Sequence, residues 1–184
     1  MQHTCTYRLL AEDLAPSAPV KYPEVRKELL LLMEEDQADR RQWETTGMAD
    51  VKARKKVGSS DKVRTARLLE LLTIIKSPGT ANIGLDGSRA VWLLAQHSNE
   101  DVMALVLQKF RNLYYKDKSQ VFYQGIPYLA DRIRIMKGKK QLYGTQYFTD
   151  NAGKEGKFPI SNPKALAKRR SRFGLCVEGE CSSA

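Results

Sequence analysis

Apolar residues recur along the chain at spacings of three and four, broken by polar, glycine and proline segments, and this period predicts helices. The first starts at Pro23, a residue suited to a first helical turn, and carries Val25, Leu29, Leu32 and Met33 through a charged stretch to about Trp43. Gly47 begins a turn. Ser59-Ser60-Asp61 offers caps for a second helix ending near Lys76, with Val63, Leu68, Leu69, Leu72 and Ile75 as its apolar set. Ser77-Pro78-Gly79-Thr80 stops it, and Gly84 to Gly87 forms another turn. The third helix, Arg89 to His97, is apolar over most of its circumference, which predicts a central, buried element.

Ser98 or Asn99 caps a fourth helix, with Glu100 and Asp101 in the first turn, where the helix dipole favours anions. Val102, Leu105, Val106 and Phe110 form its stripe, and it ends near Tyr115. Gly125-Ile126-Pro127 opens a fifth, with Leu129, Ile133 and Met136 inward and Gly138 as its stop. The pattern predicts an all-α orthogonal bundle of about five helices, with a short irregular or β-like Tyr-Gly-Thr-Gln segment and a basic C-terminal extension. Residues 1–22 read as a lead-in, 23–150 as the helical core domain and 151–184 as a basic Gly/Pro-containing tail outside that core, helical at most in its basic part.

Length and composition agree with one globular domain: 184 residues, 42% hydrophobic and 28% charged. The apolar run Leu29 to Met33 is far shorter than the roughly 20 residues of a membrane span. The first 20 residues lack the basic start and apolar run of a signal peptide. A cytoplasmic protein that avoids membranes is the expectation. Cys5, Cys176 and Cys181 lie near the ends, which implies a reducing compartment or at most one bridge in the tail. With only His3 and His97 as histidines, and neither near a cysteine pair, no metal site is expected. Gly84-Leu85-Asp86-Gly87-Ser88 lacks the glycine spacing and following lysine of a phosphate loop, so no cofactor is expected either.

Charge is uneven. Residues 1–50 carry 6 basic and 10 acidic side chains, residues 51–150 carry 18 and 8, and residues 151–184 carry 7 and 3, for a net of +10. Such an excess attracts nucleic acid or acidic ligands. Lys168, Arg169, Arg170 and Arg172 in the tail are the candidate nucleic-acid contacts.

Polar residues stand where the helical pattern expects burial or a junction. Asp36 and Arg40 share a face of the first helix, Asp61 opens the second, Gln96 and His97 end the third, and Asp131 and Arg132 sit in the fifth. Each has a plain structural role open to it. Asp36 with Arg40 forms an i,i+4 ion pair, Asp61 a cap, His97 a favourable charge at a helix C-terminus, and Arg132 an anchor for the Gln141–Gln146 segment. Taken together they make a site. Histidine is the one side-chain type that titrates unperturbed near neutrality, so His97, with Asp36, Asp61 or Asp131 as an orienting partner, is the candidate general base. Arg132, Arg40, Gln96, Tyr143 and Gln146 then bind an anionic or amide-bearing small molecule or peptide, with Gly144 allowing close approach.

The same residues carry a resemblance. Met33 to Arg40, Asp61 with Thr65-Ala66-Arg67-Leu68, Trp92 to Ser98, Leu129 to Arg132 and Gln141 to Gln146 follow the order of an uncharacterised bacterial family. That family is marked by D-Q-x-x-R, W-L-x-x-Q-H and Q-x-Y-G-T-Q boxes. The resemblance spans about residues 25–148 and implies a shared fold with no known activity. The chain departs from the family at Arg64, where Asn is usual, and at Ser77-Pro78-Gly79, where Gly-Trp-Pro is usual. Two functional classes stay open: a polar small-molecule pocket, with catalysis at His97 and Asp131, or a basic helical adaptor for nucleic acid or an acidic protein.

Overall fold

The computed structural model describes residues 16, 18–46, 50–150 and 153–176. His3, Cys5, Cys181, the Gly47 turn and most of the lead-in lie outside the described residues. Five long helices, α1 (Pro23–Thr45), α2 (Val51–Ile75), α3 (Thr80–Gln96), α4 (Glu100–Lys116) and α5 (Gly125–Met136), form the bundle. A hairpin follows, β1 (Tyr147–Thr149) and β2 (Glu155–Lys157), antiparallel with Phe148 opposite Gly156, and then a short helix α6 (Leu166–Ser171).

α3 is central, packed against α1, α2, α4 and α5, and its buried residues cover nearly its whole surface. The apolar period meets its expectation through Leu29 of α1, Leu68, Leu72 and Ile75 of α2, Val102, Val106 and Phe110 of α4, and Leu129 of α5, all buried. Asn99 caps α4 by accepting from the Val102 amide, and Gly138, at φ 67°, ends α5.

Other details differ. α2 begins at Val51, with the Asp50 carboxylate accepting from the Lys52 and Ala53 amides, so Asp61 lies in mid-helix rather than at a cap. Its frame turns Val63 and Leu69 outward, at 71% and 38% exposure, and Met136 of α5 is also exposed. α3 starts nine residues before Arg89, and the expected turn survives as a kink at Gly84 (φ 75°). There the Asp86 carboxylate accepts from the Gly87 amide and pairs with Arg26 of α1.

The basic segment packs back onto the bundle. Phe173 and Leu175 join the core, with the Phe173 ring stacked on Tyr114 and edge-on to Tyr143. The expectation that this stretch lies outside the core fails at these residues, although its basic part does form the short helix α6.

Candidate functional site

α1, α2 and the end of α3 bring charged groups to one place. Asp36 is 0% exposed although it is a carboxylate, so the groups around it must hold its charge. Its Oδ1 lies 2.9 Å from His97 Nδ1, and Arg40 donates to both its oxygens at 3.2 Å. Gln37 adds a bond at 2.8 Å. The Arg40 Nη2 also donates to both oxygens of Asp61, at 2.8 and 2.9 Å. Arg64 completes the set with one bond to Asp39 (2.8 Å) and one to Asp61 (2.9 Å), its Nε standing 3.8 Å from Asp36. Three carboxylates, two guanidiniums and one imidazole thus tie three helices together.

Burial raises the Asp36 pKa, but the His97 and Arg40 hydrogen bonds and charges outweigh it and hold the carboxyl down at about 2. Two contacts act on the imidazole tautomer. A bare nitrogen lone pair 2.9 Å from a carboxylate oxygen is repulsive, which favours a proton on Nδ1, donated to Asp36. The Arg40 Nε–H, fixed in the guanidinium plane, donates to Asp36 Oδ2 and also reaches the same nitrogen at 3.0 Å, which favours the bare form. With Nδ1 protonated, Nε2 is the basic end of the ring. The His97 side chain keeps 20% exposure.

A second set of contacts adjoins the first through α5. Arg132 donates to the Gln96 carbonyl (2.8 Å), one residue before His97, and to Gln146 Oε1 (3.0 Å). Burial, reinforced by the charge of Arg40, disfavours its cation. Asp131, also 0% exposed, faces away: its oxygens accept from the amides of Leu142, Tyr143 and Thr145 and from the Thr145 hydroxyl. Gln141 is equally buried, bonded to the Gln146 amide and carbonyl and to the Phe158 carbonyl. Tyr143 packs its ring on Phe173, and burial pushes its phenol pKa up.

The structure therefore joins Asp36, Arg40, Asp61 and His97 directly, with Arg132, Gln96 and Gln146 beside them. Asp131 and Tyr143 sit in the Gln141–Gln146 loop contacts, and no hydrogen bond links Asp131 to His97. Of the four basic tail residues, Arg169 donates to the carbonyls of Leu142, Ser161 and Asn162, and Arg170 to those of Tyr143 and Cys176. Lys168 and Arg172 are exposed. A groove of about 350 Å³ between the end of α1 and the start of α2, lined by Asp39, Gln42, Trp43 and Lys56, touches the far side of the network. Among the described residues no cluster of metal-ligating side chains occurs, and no helix is long and apolar enough to cross a membrane.

A family model, the Family of unknown function (DUF6624), matches residues 23–181. The chain belongs to this family. No curated protein and no solved structure matches it. The DUF6624 match runs through the basic segment, beyond the span of residues 25–148 expected from the boxes, and it fits a segment whose Phe173 and Leu175 complete the core.

Arg64 and Asp39 are network members that the sequence reading passed over. Their signal was present: Asp39 stands three residues after Asp36, and Arg64 three after Asp61, one helical turn in each case. Placing the start of α2 at Ser59 hid it, because Asp61 then had a cap to form.

Proposed function

We propose that this DUF6624 protein binds a small anionic or amide-bearing molecule or peptide beside His97 and moves a proton on it. His97 Nε2 acts as the general base, and Asp36 orients the ring and steadies the imidazolium once formed. The single observation behind this reading is a fully buried carboxylate 2.9 Å from Nδ1 of a ring that stays one-fifth exposed. Such a pairing aims the basic nitrogen outward, as acyl and phosphoryl transfer require. Arg132 and Gln146 are the binding groups, while Asp131 acts as a positioning residue that holds the loop presenting Gln146. A hydrolytic or group-transfer reaction fits this set.

The test is chemical. Diethyl pyrocarbonate acylates an unprotonated, reachable imidazole nitrogen. In a His3→Gln background, His97 is expected to react at least as fast as free imidazole at neutral pH, and the Asp36→Asn variant more slowly. A His97 that stays unmodified while the protein is folded removes the general base and the proposal with it.

A further inference from the structure

Arg26, Arg40 and Arg64 each hold a carboxylate. Arg132 differs: its guanidinium is half-buried, and its hydrogen bonds go to two neutral oxygens, the Gln96 carbonyl and the Gln146 amide. Among the described residues it makes no ion pair. A cation withdrawn from water without a counter-charge is costly, and here burial and the neighbouring Arg40 both act against it. The Gln96 carbonyl fixes this guanidinium one residue from His97. The Nε2 of that imidazole has no hydrogen-bond partner among the described residues, while Nδ1 meets Asp36 Oδ1 and Arg40 Nε.

Charge balance carries the argument further. Asp36 and Arg40 of α1 touch His97; Arg40 links it to Asp61 and through that to Arg64 of α2, Arg132 of α5 is held at the neighbouring Gln96 carbonyl, and Asp39 with Lys56 stands beyond Arg64. With a neutral imidazole, three carboxylates stand against three guanidiniums and the largely exposed Lys56 ammonium, 3.5 Å from Asp39. An oxyanion added beside the imidazole favours a proton on Nε2 through its own charge, and that proton gives a donor to the same oxyanion. We propose that Arg132 anchors an oxyanion, a carboxylate or phosphate group, and that its binding draws a solvent proton onto His97 Nε2. This narrows the ligand of the reading above to an anion, and it rests on that reading for the Nδ1–H tautomer of His97.

Titration calorimetry of the full chain tests it, at about pH 8, where an ordinary imidazole is neutral. The ligands are sodium acetate, inorganic phosphate and, as the uncharged control, acetamide, at constant ionic strength in two buffers of different ionisation enthalpy. The expected result is that at least one oxyanion binds and acetamide does not, with a heat that depends on the buffer because a proton is taken up. The acetate and phosphate arms decide which oxyanion the site prefers. Arg132→Gln should weaken binding by at least about tenfold, and Arg132→Lys, which keeps the charge, by less. His97→Gln should still bind but with a heat that no longer depends on the buffer. Should Arg132→Gln fail to fold, the weakening in Arg132→Lys carries the comparison. Binding that is unchanged in Arg132→Gln, or absent for both oxyanions, or a buffer dependence that survives in His97→Gln, overturns the inference. Diethyl pyrocarbonate modification of the unliganded wild type is the separate readout: a protein whose His97 reacts but that binds neither oxyanion loses the anion site and keeps the general base.

Discussion

His97 Nδ1 lies 2.9 Å from Oδ1 of Asp36, a residue 61 positions earlier in the chain, and this contact pins the end of α3 to the middle of α1. The pair is asymmetric. Asp36 also accepts from Arg40 and Gln37, so removing the carboxylate takes an acceptor from three side chains, although Arg40 keeps Asp61, whereas removing the imidazole takes one partner from Asp36. Asp36→Ala should therefore cost about 3–5 kcal/mol, as loss of one member of a buried ion pair does. His97→Ala should cost about 1–3 kcal/mol. Urea denaturation of the two variants measures the difference. Equal costs would mean that the bonds from Arg40 and Gln37 to Asp36 add nothing beyond the imidazole contact.

Acid should loosen the same network. The Asp36 carboxyl is held at about 2 against an ordinary value of 3.8. A depressed folded-state pKa gives stability that is full above the unfolded value and is lost as pH falls. Asp36 thus contributes about 2 kcal/mol above pH 4, and this fades as pH drops from about 4 toward 2. Asp39, lowered chiefly by its bond to Arg64, acts in the same direction. Unfolding free energies measured between pH 2 and 6 should show this slope, and Asp36→Asn should flatten it. A wild-type curve no steeper than that of the variant would place the acid sensitivity elsewhere.

The Gln141–Gln146 loop has its own anchor. Asp131 accepts from three loop amides and one hydroxyl. Asn at 131 supplies one oxygen where two are used and turns its amide toward N–H groups. Asp131→Asn should lower stability by about 2 kcal/mol, and hydrogen exchange at Leu142, Tyr143 and Thr145 should quicken together. If only one of the three amides loses protection, the carboxylate is not their common acceptor.

Much of this arrangement was legible in the sequence because burial writes a period. α3 announced itself as central through Ala90 to Ala95, and α4 gave its cap at Asn99. α2 was harder, since Lys52 to Lys56 is a basic run with a weak apolar period and only Val57 is buried near it. Its helicity there comes from the Asp50 cap and from packing against α1, which no local pattern records. The hairpin strands are three residues each with no fully buried position, too short for a period-two signal. For the site, Asp36, Arg40, Asp61 and His97 stood out as polar residues at apolar places, and they do meet. The partner of Asp131 was missed because a carboxylate looks the same in sequence whether it faces an imidazole or a row of backbone amides.

Gly125 marks another constraint the sequence conceals. A Cβ built on it would lie 2.4–2.9 Å from the Trp92 ring, which packs between Phe122 and Tyr128. Gly125→Ala should destabilise by about 1–3 kcal/mol through overpacking, despite the higher helix propensity of alanine. A thermal melt at or above that of the wild type would show that the Trp92 ring can move aside.

The basic segment offers the sharpest contrast between two neighbouring residues. Phe173 is 8% exposed and lies against Tyr114 and Tyr143, while Arg172 is exposed and lends only its carbonyl, to Tyr114. Loss of a buried phenyl ring costs about 3–5 kcal/mol, and loss of an exposed side chain typically less than about 0.5. Phe173→Ala should therefore lower the urea midpoint of the whole bundle in a single transition, and Arg172→Ala should leave it unchanged. The cooperativity is the decisive part. If Phe173→Ala instead produces an early, separate transition with the bundle midpoint intact, the segment folds as an appendage and the core is complete without it. A single lowered transition means that α6 and the turn after it belong to the unit that holds His97 in place.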